Sequence, residues 1–293
     1  MKAAAVRARL GVMPQPIRIL LQTTIPFTED DWHVGRFSRL KGVLEAIDGV
    51  EVVARNRESL PGQTDPVLGS LDTSDFDEMW LFAVDVGDGI TGDECAAIGR
   101  FRRRGGGLMV TRDHMDLGSS VCRLGGVGDA HYFHSKNPDP DLSRQARDDQ
   151  ETLSIDWPNY HSGANGDFQA VTAVGERHPV LSGVSRLPSH PHEGAVGAPA
   201  EHPDARVIAT GVSRTTARPF NIAVAFAPGP DGGPAIAEST FHHFADYNLD
   251  PDLGAPSFVT EAPGEGFRRD PTALAETHRY FRNVALWLAR RPV

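Results

Sequence analysis

Short apolar runs separated by helix-like stretches constrain this chain more than any other feature. "IRILLQTTI" (17–25) is bounded by Pro16 and Pro26. "VEVVAR" (50–55), "EMWLFAV" (78–84) and "GLMVTRD" (107–113) come next in turn. Runs of this length that are apolar without strict alternation read as strands buried on both faces. Between the first two, Val34, Phe37, Leu40, Val43, Leu44 and Ile47 recur at spacings of three and four, which predicts one apolar helix face. Thr91 and Glu94 form a T-x-x-E capping box that starts a second helix. Arg102 to Arg104 suit that helix's C-terminal dipole, and Gly105 suits the residue that closes it. Strand and helix alternating in this rhythm predict an α/β fold, a mainly parallel sheet flanked by helices.

The second half is less regular. From about Ser119 to Ala205 the chain is rich in Gly, Pro, Asp and His and has weak periodicity. It reads as long loop excursions over the carboxyl edge of the sheet, a length that loops reach mostly when they serve as lids or binding loops. Strands resume at "ARVIATGV" (205–212), "FNIAVAFA" (220–227) and "PAIAEST" (234–240), with "PGPDGG" (228–233) as a tight hairpin. Asp270 and Pro271 start a last helix, with Leu274, Phe281, Val284 and Leu288 as its buried stripe. Residues 1–16 read as an extension with no signal-peptide core, and 17–293 as a single α/β domain.

Composition narrows the function classes. A net charge of −10 argues against nucleic acid and anionic membrane as partners. No stretch is long and apolar enough to predict a membrane span. Two cysteines, Cys95 and Cys122, make no disulfide framework and suit a cytoplasmic location. No G-x-G-x-x-G comes after the first strand, so no dinucleotide is expected, and no cofactor is assigned.

Five segments in order carry a resemblance: "FDEMWLFAV", "FRRRGGGLMVTRDH", "RHPVLSGV", "RVIATG" and "AIAESTFHHFADYN". Together, over about 17–290, they resemble the class I glutamine amidotransferase-like superfamily and within it the trehalose-utilisation (ThuA-like) group. The resemblance implies a flavodoxin-like sheet. Amidotransferases carry a Cys at the elbow after the fourth strand; this chain has Asp113 and His114 there, and Cys122 lies beyond the elbow. Glutamine hydrolysis through a thioester is therefore not expected. ThuA-like proteins also lack the Cys and often carry a His near the elbow, which His114 matches. His242 or His243 falls where the superfamily's late His is expected. The group's link to disaccharide and keto-sugar metabolism implies a sugar-derived substrate.

In open α/β sheets, ligands bind beyond the carboxyl ends of the strands. Residues at those ends are the site candidates: Asp30, Asp31 and His33 after the first strand, Asp85 after the third, Asp113 and His114 after the fourth, and His242, His243 and Asp246 after the last. Asp30 and Asp31 read first as solvated loop acids. Catalytic roles fall on His114, Asp113 and one of His242 and His243, since adjacent residues point to different sides. Substrate-binding roles fall on His33, Asp85, His192, Glu193 and Asp246. Imidazole suits acid–base work near neutral pH. Asp113 and His114, as neighbours, are expected to reach other loops rather than each other, with His242 or His243 the expected partner of His114. "HYFH" (His131, His134) and "SHPHEG" (His190, His192, Glu193) have spacings that can place two imidazoles on one metal. No metal is assigned; were one present, His192 and His242 would be expected to hold it rather than the cysteines. Two readings stay open. One is an enzyme of hydrolase, isomerase or lyase type on a small polar or sugar-derived molecule. The other is a non-catalytic ligand-binding or oligomerising protein, and homo-oligomers are compatible with both. An enzyme should bring His114 and one of His242 and His243 to the same pocket.

Overall fold

The structure is a computed structural model that describes residues 16–60, 62–149 and 152–293. The extension expected over residues 1–16 lies, apart from Pro16, outside the described residues. The central sheet has eight strands: β1 (Ile17–Thr23), β2 (Val50–Arg55), β3 (Glu78–Phe82), β4 (Gly107–Thr111), β5 (Thr172–Ala173), β6 (Ala205–Val212), β7 (Pro219–Phe226) and β8 (Ala235–Glu238). Their spatial order is β2-β1-β3-β4-β8-β7-β6-β5. The pairs from β2 to β8 are parallel, as the strand–helix rhythm predicts. The remaining pairs are antiparallel, because the 228–233 hairpin turns β7 directly into β8.

Burial obeys the period-two geometry of strands. Trp80, Phe82 and Met109 face one apolar layer with Phe37, Leu40, Leu44, Phe281, Val284 and Leu288. Met79, Leu81, Leu108 and Val110 face the other, with Ile98, Phe101, Val224 and Phe226. Helices cover both faces, so β3 and β4 have no exposed residue. Each fully buried Leu, Ile or Phe in these layers contributes roughly 1.5–3 kcal/mol.

The helices start and stop where local chemistry dictates. The first apolar face is split between a 3-10 turn (Val34–Phe37) and α1 (Ser38–Glu45). Helix α2 (Gly92–Arg103) begins at the Thr91–Glu94 capping box. Helix α3 (Pro271–Leu288) begins where the Asp270 side chain accepts from Thr272 N, and buries Phe281, Val284 and Leu288. Leu274 packs against the core only partly buried. The middle segment lies mostly in loops with two small strand pairs, His131–Tyr132 with Ala195–Val196 and Phe168–Ala170 with Arg186–Pro188. Among the described residues no helix is long and apolar enough to cross a membrane.

One turn of "RHPVLSGV" makes a measurable pH signature. His178 Nδ1 accepts from Val180 N at 3.4 Å, and its ring meets Trp287 edge-on at 4.7 Å. Burial, helped by the charge of Arg206, pulls its pKa down to about 4. The unfolded chain binds this proton near pH 6.5, the folded chain only near 4. The stability from this ring is complete above pH 6.5 and falls as pH drops from 6.5 to about 4. Urea unfolding should register up to about 3 kcal/mol over that window. His178→Asn, which keeps a cap acceptor without a titrating ring, should flatten that part of the profile.

Candidate functional site

The elbow after β4 sends its side chains to opposite sides. Arg112 turns into the body of the protein, stacks over Phe133 at 4.0 Å and donates to Met115 O at 2.5 Å. Burial pulls its guanidinium down to about 9. Asp113 turns to the carboxyl end of the sheet. The strained backbone expected at such a turn falls on Met115, with φ of 49°. Gly194 presses against the elbow from the middle segment. A Cβ there would lie 2.5 Å from Arg112 Nη1 and 2.7 Å from Asp113 O, so only glycine permits this approach.

Asp113 is the centre of the site. It is 4% exposed and surrounded by three imidazoles. His114 Nδ1 lies 3.2 Å and His190 Nε2 3.8 Å from Asp113 Oδ1; His242 Nε2 lies 3.7 Å from Oδ2. The His190 and His242 rings stack at 3.5 Å, inclined by 12°. Phe241 stacks on the other side of His242 and Trp32 meets it edge-on. Burial alone would raise the Asp113 carboxyl, but the charges of His114 and His242 outweigh it and hold the group well below the ordinary value. Burial, reinforced by His242, pushes His190 well below the ordinary imidazole value.

These groups form the floor of a cavity of about 390 Å³. Its apolar wall includes Val84, Leu117, Ile155 and Val259, and Val86 and Phe258 project at its mouth, 76% and 58% exposed. His192 closes one side, Nδ1 3.3 Å from Asp149 and Nε2 3.2 Å from Glu261. Burial lowers its pKa, against the hydrogen bond that Glu261 accepts from Nε2.

Of the expected site residues, Asp113, His114, His192 and His242 line this cavity, and His114 and His242 address one carboxylate from two sides. Several expectations need correction. His114 and Asp113 do meet, because the turn folds back so that Leu117 N bonds to His114 O. His114's ring neighbour is His192, at 5.5 Å, rather than His242 or His243. His243 points away from the cavity and sits fully buried between Glu193 Oε2 (3.4 Å) and Glu238 Oε2 (3.2 Å). Glu193, expected to bind substrate, accepts from Ser162, Gln169 and Ser239. Asp246 caps α1 from across the chain, accepting from Ser38 N, Ser38 Oγ and Arg39 N. Asp85 holds its own turn through Gly87 N and Ser120 Oγ. His33 caps the 34–37 turn through Gly35 N. Asp31, read as a solvated acid, lines the cavity. His131 and His134 bind carbonyl oxygens of Val127, Val110 and Trp157 separately and form no pair.

Sequence reasoning assigned no site role to Trp32, Asn165, Asn248, Asp149 or Glu261, and named His190 only through its metal-type spacing with His192. The H-x-H spacing of "SHPH" was the signal for His190. Asn248 lies in the segment that carries the family resemblance.

The chain has a flavodoxin-like α/β fold that solved structures share at low identity. The cytoplasmic protein STM1381 from Salmonella typhimurium LT2 aligns over 93% of this chain and 99% of its own, at 11% identity and TM-score 0.53. The glutaminase domain of CTPS from Trypanosoma brucei, with bound acivicin, aligns over 94% and 95%, at 15% identity and TM-score 0.50. A Bacteroides uniformis protein described as ThuA-like aligns over 94% and 95%, at 13% identity and TM-score 0.47. No protein-family model matches the chain, and no curated protein matches its sequence. The first two likenesses establish fold, not activity.

His243 and His114 should separate structure from site. Removing the cation between two buried carboxylates leaves them uncompensated, so His243→Gln should destabilise the protein by about 3–5 kcal/mol in urea. His114→Gln, at a partly exposed ring facing the cavity, should change stability by less than about 1 kcal/mol.

Proposed function

We propose that the protein is an enzyme acting on a small polar, sugar-derived molecule by histidine-based acid–base chemistry. The reaction class is hydrolysis, isomerisation or elimination. The observation that carries this reading is the convergence of His114, His190 and His242 on one buried carboxylate at the floor of a cavity. These residues come from three separate segments, and the cavity lies at the sheet edge where α/β enzymes place their chemistry. His114 is the proton-transfer group in this reading. Its ring lines the cavity, and its Nδ1 lies 3.2 Å from Asp113 Oδ1. The volume suits a molecule the size of a monosaccharide or somewhat larger. The ThuA-like resemblance of the elbow and of "AIAESTFHHFADYN" favours keto-sugars and disaccharides as the class to try first.

A thiol nucleophile plays no part in this reading. Cys122 does not line the cavity, and burial pushes its thiol up to about 11, where the reactive thiolate is scarce at neutral pH. Cys95 is buried in α2 and pushed up to about 12. Purified protein given glutamine should release no ammonia above the uncatalysed level. Release that disappears in Cys122→Ala would contradict the reading.

The direct test is turnover against a panel of keto-sugars and disaccharides. His114→Ala should lower kcat/KM by at least about a hundredfold, with the fold kept by circular dichroism. Ligands that bind in the cavity without turnover, with His114→Ala changing nothing but affinity, would assign the protein to ligand binding instead.

A further inference from the structure

The hydrogen bonds behind the two stacked imidazoles fix their protons. Ser189 O can only accept, and Asn248 Nδ2 donates to it at 3.1 Å. The same amide nitrogen donates to Asn165 Oδ1 at 2.8 Å. That orientation leaves Asn248 Oδ1 facing His242 Nδ1 at 3.1 Å and Asn165 Oδ1 facing His190 Nδ1 at 2.9 Å. Both oxygens are acceptors, so both Nδ1 atoms carry the proton. In the neutral rings each Nε2 then has a bare lone pair, and both lone pairs face Asp113.

With both rings neutral, the carboxylate and the two Nε2 lone pairs converge with no donor among these three groups. Asp113 Oδ1 and His190 Nε2 make no well-formed hydrogen bond among the described residues, His114 Nδ1 standing 3.2 Å from Asp113 Oδ1 without hydrogen-bond geometry, although Asp113 and His190 are each 4% exposed. The Nε2-to-carboxylate distances of 3.8 and 3.7 Å are too long for hydrogen bonds. They are close to the separation of about 3.4 Å between ligands that share an ion at about 2.1 Å. The three candidate ligand atoms lie within 4.8 Å of one another. An oxygen acceptor on the outer imidazole nitrogen, usually a carboxylate, a backbone carbonyl or a water, fixes the tautomer and orientation of metal-binding His, and here the two carboxamide oxygens take that place.

We propose that Asp113, His190 and His242 form a mononuclear site for a divalent transition-metal ion, zinc foremost, with its remaining coordination positions open to the cavity. Two imidazoles and one carboxylate are the donor set of open zinc sites. His192 is not a ligand, since Asp149 and Glu261 flank its ring nitrogens. His114 stays outside the set and keeps its place beside the cavity. A second cluster, His202, Asp204 and Asp231, is more exposed and serves as the control. The inference goes beyond the acid–base reading and stands without it.

The test uses the full chain, stripped with EDTA, dialysed and titrated with zinc chloride. One equivalent should bind. Saturating zinc should raise the melting temperature by about 5–10 °C. His190→Ala and His242→Ala should each abolish both effects, and His202→Ala should change neither. Asn248→Leu should weaken zinc binding about 10–100-fold while the ligands stay in place. Cobalt(II) in the wild-type protein should give the intense visible absorption of a four- or five-coordinate ion, which keeps the test open if a variant fails to fold. Absence of zinc binding, stoichiometry unchanged in the double variant His190→Ala/His242→Ala, or only the weak spectrum of a hydrated cobalt ion would overturn the site. Zinc bound by protein that turns over no substrate would support this site and overturn the acid–base reading. Turnover by protein that binds no zinc would do the reverse.

Discussion

His243 holds a charge at a place where the sheet, the last helix and the middle loops meet. Burial favours a neutral ring, but the charges of Glu193 and Glu238 outweigh it and raise its pKa to about 10. All three side chains are fully buried, so the imidazolium and its carboxylates must stay together. Glu238 ends β8 and accepts from Tyr280 of α3 at 2.5 Å. Glu193 belongs to the loop that carries His190 and His192, and its backbone pairs with Tyr160. The ion triad thus draws an irregular segment onto the end of the sheet. On one side of it His242 is placed by sequence adjacency, and on the other His190 is placed by the loop. The stacking of those two rings over Asp113 depends on this clamp.

The framework of the fold was legible because it obeys simple periodicities. Strands buried on both faces announced themselves in "EMWLFAV" and "GLMV". The Thr91–Glu94 box and the Asp270–Pro271 start are local signals with a local cause. The elbow was legible for the same reason, since a strand must deliver its next residues to the sheet edge. The site was half legible. Asp113, His114, His192 and His242 stood out because they sit just beyond a strand end or cluster in His-rich loops. The same criterion also picked out Asp85, Asp246 and His33, which are caps. A carboxylate or imidazole beyond a strand end serves a backbone N–H as readily as a substrate, and sequence does not distinguish the two. His190 and Asn165 come from a stretch without periodicity, where position is set by contacts remote in sequence. Which member of the His242–His243 pair faces the cavity was decided by the two glutamates, one of them in that same stretch.

The elbow shows how far fold and chemistry separate. Its geometry is a buried strand, a sharp turn, a positive φ at Met115 and a glycine pressed against its back. The glutaminase domain of CTPS shares the fold at 15% identity. Here the turn delivers a carboxylate to the floor of the cavity. A carboxylate held ionised among imidazoles is a poor nucleophile and a good anchor, for a ring, a proton or a cation. The scaffold's contribution is therefore position, and the residue placed there decides what the position is used for.

The place of β8 in the sheet has a consequence for how the chain is made. Among the described residues it is the strand that lies between β4 and β7 and joins them, yet it begins at Ala235. During synthesis β4 emerges long before its neighbour. Leu108, Met109 and Val110 then present an apolar strand with one row of amides and carbonyls unpaired. Such an edge is a template for wrong partners, including another copy of the same unfinished chain. A chain stopped before residue 235 would be an open sheet lacking its centre, not a smaller version of this protein. The N-terminal half reads as the more regular part of the sequence, but its β4 is paired on both edges only after the C-terminal half has arrived.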